Sequence, residues 1–269
     1  MKSIFQKSRL LASIRYSSTF IQAWLMFRGK TRRKLARQKQ YYSCLVQNLR
    51  MADSVILDIG ANEGFVSEIF LDQGLSVVGI EPDPRNIRIL QARFKRNRHF
   101  TLYPCLCSSK PGFNLFWISV DNSAFSTSNT KWRNLLSDGQ YPLQSHFKNK
   151  PAEVQAITMD EVIRVHGKIA FAKIDTEGSE LDCLHGLSSK IPLLAFEANL
   201  PEFKEETISS VLQLARIDPA AQFSYSSDFK KMITGFLPAG EFCNLIDTLP
   251  HRNIDVICRM TNYHEFYAD

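Results

Sequence analysis

The chain has no C-x-x-C pair, and none of its six cysteines (44, 105, 107, 183, 243 and 258) stands near a histidine at zinc-ligand spacing. This excludes a structural zinc site and a dithiol redox motif; cysteines set inside apolar runs read as reduced core residues of a cytoplasmic protein. No apolar run comes near the roughly 18 residues that cross a bilayer. No small-residue cleavage site follows a hydrophobic stretch at the N-terminus either. Neither a spanning helix nor a secretory signal is expected. His146, His166, His185 and His251 keep no recognisable spacing to a serine or cysteine nucleophile, so a hydrolase of that kind has no support.

Negative charge is missing from residues 1–50, which carry 12 Lys/Arg and no Asp or Glu. Beyond them 21 basic residues face 27 acidic ones, so the body is acidic at −6 although the whole chain is +6. The positive charge belongs to an N-terminal arm and is no argument for a nucleic-acid partner. Apolar residues from Ile4 to Phe27 interleave with the cations, partly at helical spacing. Three readings stay open: a helix packed on the domain, an amphipathic segment making peripheral contact with an anionic membrane, or a transit peptide around Arg9 to Ser18. Residues 1–50 are set apart as a basic helical extension, and 51–269 form one domain with room for a sizeable core.

What the chain does have begins at Val55-Ile56-Leu57-Asp58-Ile59-Gly60-Ala61-Asn62-Glu63-Gly64. A buried strand running into a glycine turn and then an amphipathic helix presents backbone N–H groups to a nucleotide-type ligand. A second strand closes on Gly79-Ile80-Glu81-Pro82, a carboxylate about 20 residues on, where a ribose diol is commonly held. Phe65, Ile69 and Phe70 make one helix stripe and Ile87, Leu90 and Phe94 another. Further strands are predicted at 99–103, 114–120, 153–158, 169–174, 193–196, 222–225 and 254–259, with helices at 159–165, 179–187, 203–216 and 239–247. Residues 121–152, rich in Asn, Ser, Lys and Gln, read as one long loop. The alternation specifies an α/β fold, a mostly parallel sheet covered by helices on both faces, with ligands at the carboxyl ends of the strands.

Asp58 to Gly64, Glu81-Pro82 and Lys173-Ile174-Asp175-Thr176-Glu177-Gly178-Ser179-Glu180 resemble, in that order, the FkbM family of S-adenosylmethionine-dependent methyltransferases, over roughly residues 53–260. The resemblance implies a Rossmann-like class I methyltransferase with a seven-stranded sheet ending in an antiparallel strand. It also implies S-adenosylmethionine as cofactor and O-methylation of a hydroxyl, on a small molecule, sugar, glycan or secondary metabolite. Around Leu106 to Ser109 it implies an adenine pocket; Ser109 stands where an acidic residue is common, leaving Ser108 or backbone to supply the hydrogen bond.

On the residues themselves, Gly60 and Gly64 permit close backbone approach, with Ala61 and Asn62 between them, and the helix after Gly64 offers N–H donors to the cofactor carboxylate. Asp58 takes hydrogen bonds from the turn or from the cofactor ammonium, and Glu81 holds the ribose hydroxyls. Ser67 reads as a helix-surface residue. Strand alternation puts Lys173, Asp175 and, if extension persists, Glu177 on one side of the chain at a strand exit, where three charges must meet water, ligand or each other. Asp175 is the candidate beside the acceptor hydroxyl, Lys173 and Glu177 tune it, and the alternative is a structural ion cluster. Glu180 either reaches the same space or caps the next helix, and Glu197 is either an acceptor contact or an ordinary edge carboxylate. No spacing signature demands a metal.

The hydrogen-bonding side chains of 121–131 suit a polyhydroxylated acceptor and equally suit a plain loop; Trp117 and Trp132 either stack on a ring or pack in the core. Two rival functions share the first half of the motif. An NAD-dependent oxidoreductase would want glycine at Asn62, and a catalytically silent cofactor-binding scaffold would keep the fold without the chemistry.

Overall fold

A computed structural model describes residues 29–49, 54–139, 141–229, 235–249 and 253–267. The amphipathic reading of Ile4 to Phe27 lies outside them. The first described element, α1 (Gly29–Val46), belongs to the basic arm. Tyr41, Tyr42 and Val46 fall on one face and are buried in a cluster with Phe70 and Phe171, so the domain's core begins well before residue 51. The Tyr42 ring lies edge-on to Phe70 at 5.8 Å between centroids.

β1 (Val55–Ile59), α2 (Phe65–Leu71), β2 (Ser76–Ile80), α3 (Pro84–Phe94) and β3 (Phe100–Tyr103) follow as the periodicity predicts. Asp83 caps α3, its side chain accepting from the Arg85 N–H, and Pro84 occupies the first turn, where no N–H is needed. After β4 (Leu106–Cys107) and β5 (Gly112–Phe116), the 121–152 segment is not one loop: it holds a 3-10 turn at Ser123–Phe125 and helix α4 (Thr130–Ser137). Only Trp132 and Leu136 of α4 are buried, too few apolar positions to show a period in a polar stretch. The predicted strand 114–120 ends at Phe116 and joins β6 (Ala152–Ile157) and β4 in a separate sheet, order β4-β6-β5.

α5 (Met159–His166) starts with a capping box, Thr158 and Glu161 each bonding the other's backbone N–H. It leads to β7 (Ile169–Ile174), buried throughout. α6 (Glu180–His185), β8 (Leu193–Asn199), α7 (Lys204–Ile217), β9 (Gln222–Ser226), β10 (Leu237–Pro238), α8 (Ala239–Ile246), β11 (Asn253–Arg259) and α9 (Tyr263–Phe266) complete the chain. The main sheet has the order β3-β2-β1-β7-β8-β11-β9-β10. β11 runs antiparallel between β8 and β9, whereas β1, β2, β3, β7 and β8 are mutually parallel. The expected class I sheet is therefore present with one strand more than the seven expected, the two-residue β10. Alternation sorts β8 between two cores: Leu194, Phe196 and Ala198 face one helical layer, Leu193 and Ala195 the layer that includes α1.

Candidate functional site

The carboxyl ends of β1, β2, β7 and β8 open on a cavity of about 660 Å3, a size ordinary for a small-molecule or cofactor pocket. Gly60, Asn62 and Glu81 line one part of it, and Asp175, Glu177 and Glu197 another. Asp58, Ala61, Gly64, Ser108 and Lys173 are not on its wall.

At the β1 turn, Gly60 and Ala61 both donate N–H to the Ile80 carbonyl at 3.0 Å, closing the turn against β2. Asn62 takes a left-handed φ of 51°, which its side chain type tolerates, and donates its N–H to Glu81 Oε2 at 2.7 Å. The Asp83 N–H donates to the other oxygen at 2.7 Å. Glu81 is thus fixed by two backbone donors, yet burial outweighs them and pushes its pKa up to about 7. Asn86, nearly fully buried on the cavity wall, keeps a side-chain oxygen with no partner.

Packing requires both glycines. A Cβ on Gly60 would fall 1.8 Å from the Asp175 carbonyl oxygen, and one on Gly64 2.6 Å from the Phe94 ring and 2.7 Å from Leu90. Asp58 lies beneath the turn, fully buried, accepting from Ser67 Oγ at 2.6 Å and 3.4 Å from Lys173 Nζ. Ser67 is therefore a buried support, not a surface residue. The Ser108 hydroxyl donates to Asp182 at 2.7 Å and accepts from Asn114 at 2.8 Å, while its neighbours Leu106 and Cys107 reach the cavity.

Lys173 is the centre of the second group. Its ammonium lies 3.3 Å from Asp175 and donates to the Gly60 carbonyl at 3.1 Å. Burial opposes its charge, but Asp175 and Asp58 more than offset that and hold its pKa above the ordinary lysine value. After β7 the chain turns through Glu177 at φ 56° and Gly178 at φ 93°. This left-handed step, which spacing along an extended strand does not foresee, brings Glu177 beside Asp175 and Glu197. Carboxylate oxygens of the three lie within 4.8 Å of one another. Burial first, then the charges of Glu197 and Asp175, hold Glu177 well above the usual carboxylate range. Glu197 is pushed up to about 8 by burial and Asp175, against donation from Asn253 at 2.8 Å; Asn199 donates to its other oxygen at 3.1 Å. Asp255, opposite Glu197 in the β11–β8 ladder, rises to about 7 through burial and Asp175.

Glu180 neither lines the cavity nor caps α6, which has no side-chain cap bond; it closes the turn before that helix. Its Oε1 accepts from the N–H and hydroxyl of Thr176, at 2.8 and 3.1 Å, and from the Gly178 N–H. A strap, residues 126–129, crosses from one half of the site to the other. Ser126 donates to Asp83 at 2.9 Å, Thr127 to the Glu177 carbonyl at 2.8 Å, and Asn129 to the Gly178 carbonyl; Ser128 meets Ser179 at 2.8 Å. Asn129 also caps α4, accepting from Trp132 N–H at 3.0 Å. Trp132 packs edge-on to Tyr141 and Phe203, and the same residue lines the cavity.

Against protein-family models, residues 58–234 match the methyltransferase FkbM domain. The chain belongs to this family. The match spans both halves of the site, from Asp58 through the strap to Glu197. Among solved structures the chain is similar to precorrin-6y C5,15-methyltransferase of Geobacter metallireducens, at 10% identity over 81% of this chain and 84% of that one, TM-score 0.41. It is similar also to precorrin 8w decarboxylase of Methanobacterium thermoautotrophicum, at 13% identity over 82% and 88%, TM-score 0.40. A third likeness is the plantazolicin methyltransferase BpumL, solved with S-adenosylhomocysteine, at 11% identity over 96% and 99%, TM-score 0.36. No curated protein matches the chain in sequence.

Sequence reasoning reached Asp175, Glu177, Glu81 and the turn, and named Glu197 as one of two possibilities. It missed Asn199 and Asn253, and it missed Lys34 and Gln38 of α1, which also line the cavity. No local motif marks those four: Lys34, Gln38 and Asn253 reach the cavity from elements distant in sequence, and Asn199 lies two residues past Glu197 at the end of β8 with no signal of its own.

Proposed function

We propose that this methyltransferase-family chain moves a methyl group from S-adenosylmethionine to a hydroxyl oxygen of a sugar-like acceptor. The observation that carries the reading is the gathering of Asp175, Glu177 and Glu197 on the wall of the cavity that Glu81 and the Gly60–Asn62 turn share.

The residues present fit the cofactor. Glu81 is oriented as a fixed carboxylate for vicinal hydroxyls, and the unpartnered oxygen of Asn86 accepts a further donor. When bound, S-adenosylmethionine supplies an electrophilic methyl on a sulfonium sulfur. The protein then needs to align an acceptor oxygen and receive its proton. Alignment contributes on the order of 7–11 kcal/mol and a general base roughly 3–5 kcal/mol, so positioning dominates.

Asp175, tied to Lys173, orients the hydroxyl. The proton passes to the carboxylate cluster it forms with Glu177 and Glu197, in which Glu197, pushed up to about 8, suits a base working near neutral pH. Asn199, Asn253 and the aromatic wall at Trp132 and Tyr141 complete a surface of donors, acceptors and ring faces suited to a polyol. A labelled-methyl transfer assay over sugars, glycans and secondary metabolites tests this. Ether-linked label that disappears in Asp175→Asn, with S-adenosylhomocysteine affinity retained, supports the reading; label on nitrogen or carbon, or full activity in Asp175→Asn, overturns it.

A further inference from the structure

Resting on the methyl-transfer reading above, we infer that the acceptor carries a phosphate group, received at the cavity entrance that α1 builds from Lys34 and Gln38, with Arg33 and Arg37 on the adjoining exposed stripe of the same helix. Lys34 and Gln38 stand one helical turn apart and line the same cavity as Glu81 and Asp175. Arg33 and Arg37, also one turn apart on the neighbouring stripe, are exposed to solvent.

Among the described residues no carboxylate lies within ion-pair distance of Arg33, Lys34 or Arg37. Lys39, further along the same helix, is paired with Asp72 at 2.9 Å. The helix cannot neutralise itself, since residues 1–50 contain no Asp or Glu.

A cation whose only task was to offset the buried carboxylates would touch one. Lys173 does so at 3.3 and 3.4 Å, whereas Lys34 acts on Asp255 only at longer range and rests 5.7 Å from the Phe229 ring centroid. Lys34 at the opening, with two guanidiniums exposed on the adjoining stripe of the same helix, suits a group with several anionic oxygens, which arginine forks bind in pairs. The phosphate is then met by cations of α1 while the neutral hydroxyl meets the carboxylates, so the two ends of the acceptor are read by opposite signs of the protein.

The test is calorimetric titration of the full chain with inorganic pyrophosphate, with and without saturating S-adenosylhomocysteine. Saturable binding is expected, weakened about tenfold in Lys34→Gln and in Arg37→Gln. Lys39→Gln, outside the cavity, should leave it unchanged, and all three variants should keep wild-type affinity for S-adenosylhomocysteine. Cosedimentation with phosphatidylcholine vesicles containing phosphatidic acid separates the two sources of phosphate. Vesicle binding lost in Lys34→Gln and Arg37→Gln assigns a lipid-linked acceptor; pyrophosphate binding with no vesicle binding assigns a soluble phosphorylated one. No pyrophosphate binding, or equal binding by wild type and Lys34→Gln, overturns the inference. Failure of S-adenosylhomocysteine to bind would instead count against the methyl-transfer reading, and the pyrophosphate arm still reads the entrance.

Discussion

Gly60 and Asp175 are in backbone contact: a methyl group on Gly60 would lie 1.8 Å from the Asp175 carbonyl oxygen. The turn after β1 and the end of β7 are thus one packed unit, tied again where Lys173 donates to the Gly60 carbonyl. Gly60→Ala must move backbone, and it does so at φ 76°, where an L side chain is already strained. A loss of ~3 kcal/mol in stability is expected, along with S-adenosylhomocysteine binding. Chemical denaturation and calorimetry check both; a variant with unchanged midpoint would show that the contact is not needed.

Glu81 sets a pH dependence. Burial moves its pKa up to about 7 from an ordinary carboxylate value. Ribose hydroxyls are donors, so the ionised form binds them, and affinity for S-adenosylhomocysteine should rise as pH passes through about 7 and then level off. Glu81→Gln should bind weakly with no such rise. A flat profile in the wild type would remove Glu81 from cofactor recognition.

Glu177 opposes stability at alkaline pH. Its folded-state pKa is raised, so the unfolded chain releases this proton first, and stability is greatest below the unfolded value and falls as pH rises towards the folded one. Glu177→Gln keeps the shape and removes the repulsion from Glu197 and Asp175. A gain of about 1–2 kcal/mol is expected near pH 8 and almost none near pH 5, together with slower methyl transfer. Equal effects at both pH values would contradict this.

The strap should separate binding from transfer. Asn129→Ala loses the α4 cap and the bond to Gly178, at a cost of about 1–2 kcal/mol. The Glu177 turn then loosens while Glu81 stays in place. Transfer should fall with little change in S-adenosylhomocysteine affinity, whereas Ser126→Ala, which frees Asp83 beside Glu81, should raise the dissociation constant several-fold. Both constants come from one calorimetric series.

Truncation distinguishes the two parts of the basic arm. Removing residues 1–28 leaves every described contact of α1 in place. Removing 1–50 strips Tyr41, Tyr42 and Val46 from Phe70 and Phe171, and Tyr42→Ala alone should cost about 3–5 kcal/mol. Thermal unfolding of the two truncations is expected to differ sharply; equally stable products would mean α1 is dispensable.

The order of elements was legible because strand and helix periods alternate cleanly from Val55 to Phe94 and again from Met159 to Val211, and because carboxylates at β2 and β7 mark the strand exits. The site was less legible where the backbone leaves regular geometry. Glu177 reaches its partners through a left-handed turn, and Gly64 answers to Leu90 and Phe94, neither of which spacing reveals. Helix α4 hid in a polar stretch with two buried side chains; for α1 a helix packed on the domain was one of the readings, but its six cations obscured that the tyrosine face is the one that packs. Ser67 misled for a related reason: a small polar residue on an amphipathic helix reads as exposed unless its buried partner, Asp58, is known.

The most direct test of the central claim is calorimetric titration of the full chain with S-adenosylhomocysteine, alongside NAD, for the wild type and Glu81→Gln. One saturable site for S-adenosylhomocysteine is expected, weakened in Glu81→Gln, with no binding of NAD. Binding of NAD, or S-adenosylhomocysteine binding indifferent to Glu81, would contradict the assignment of this cavity.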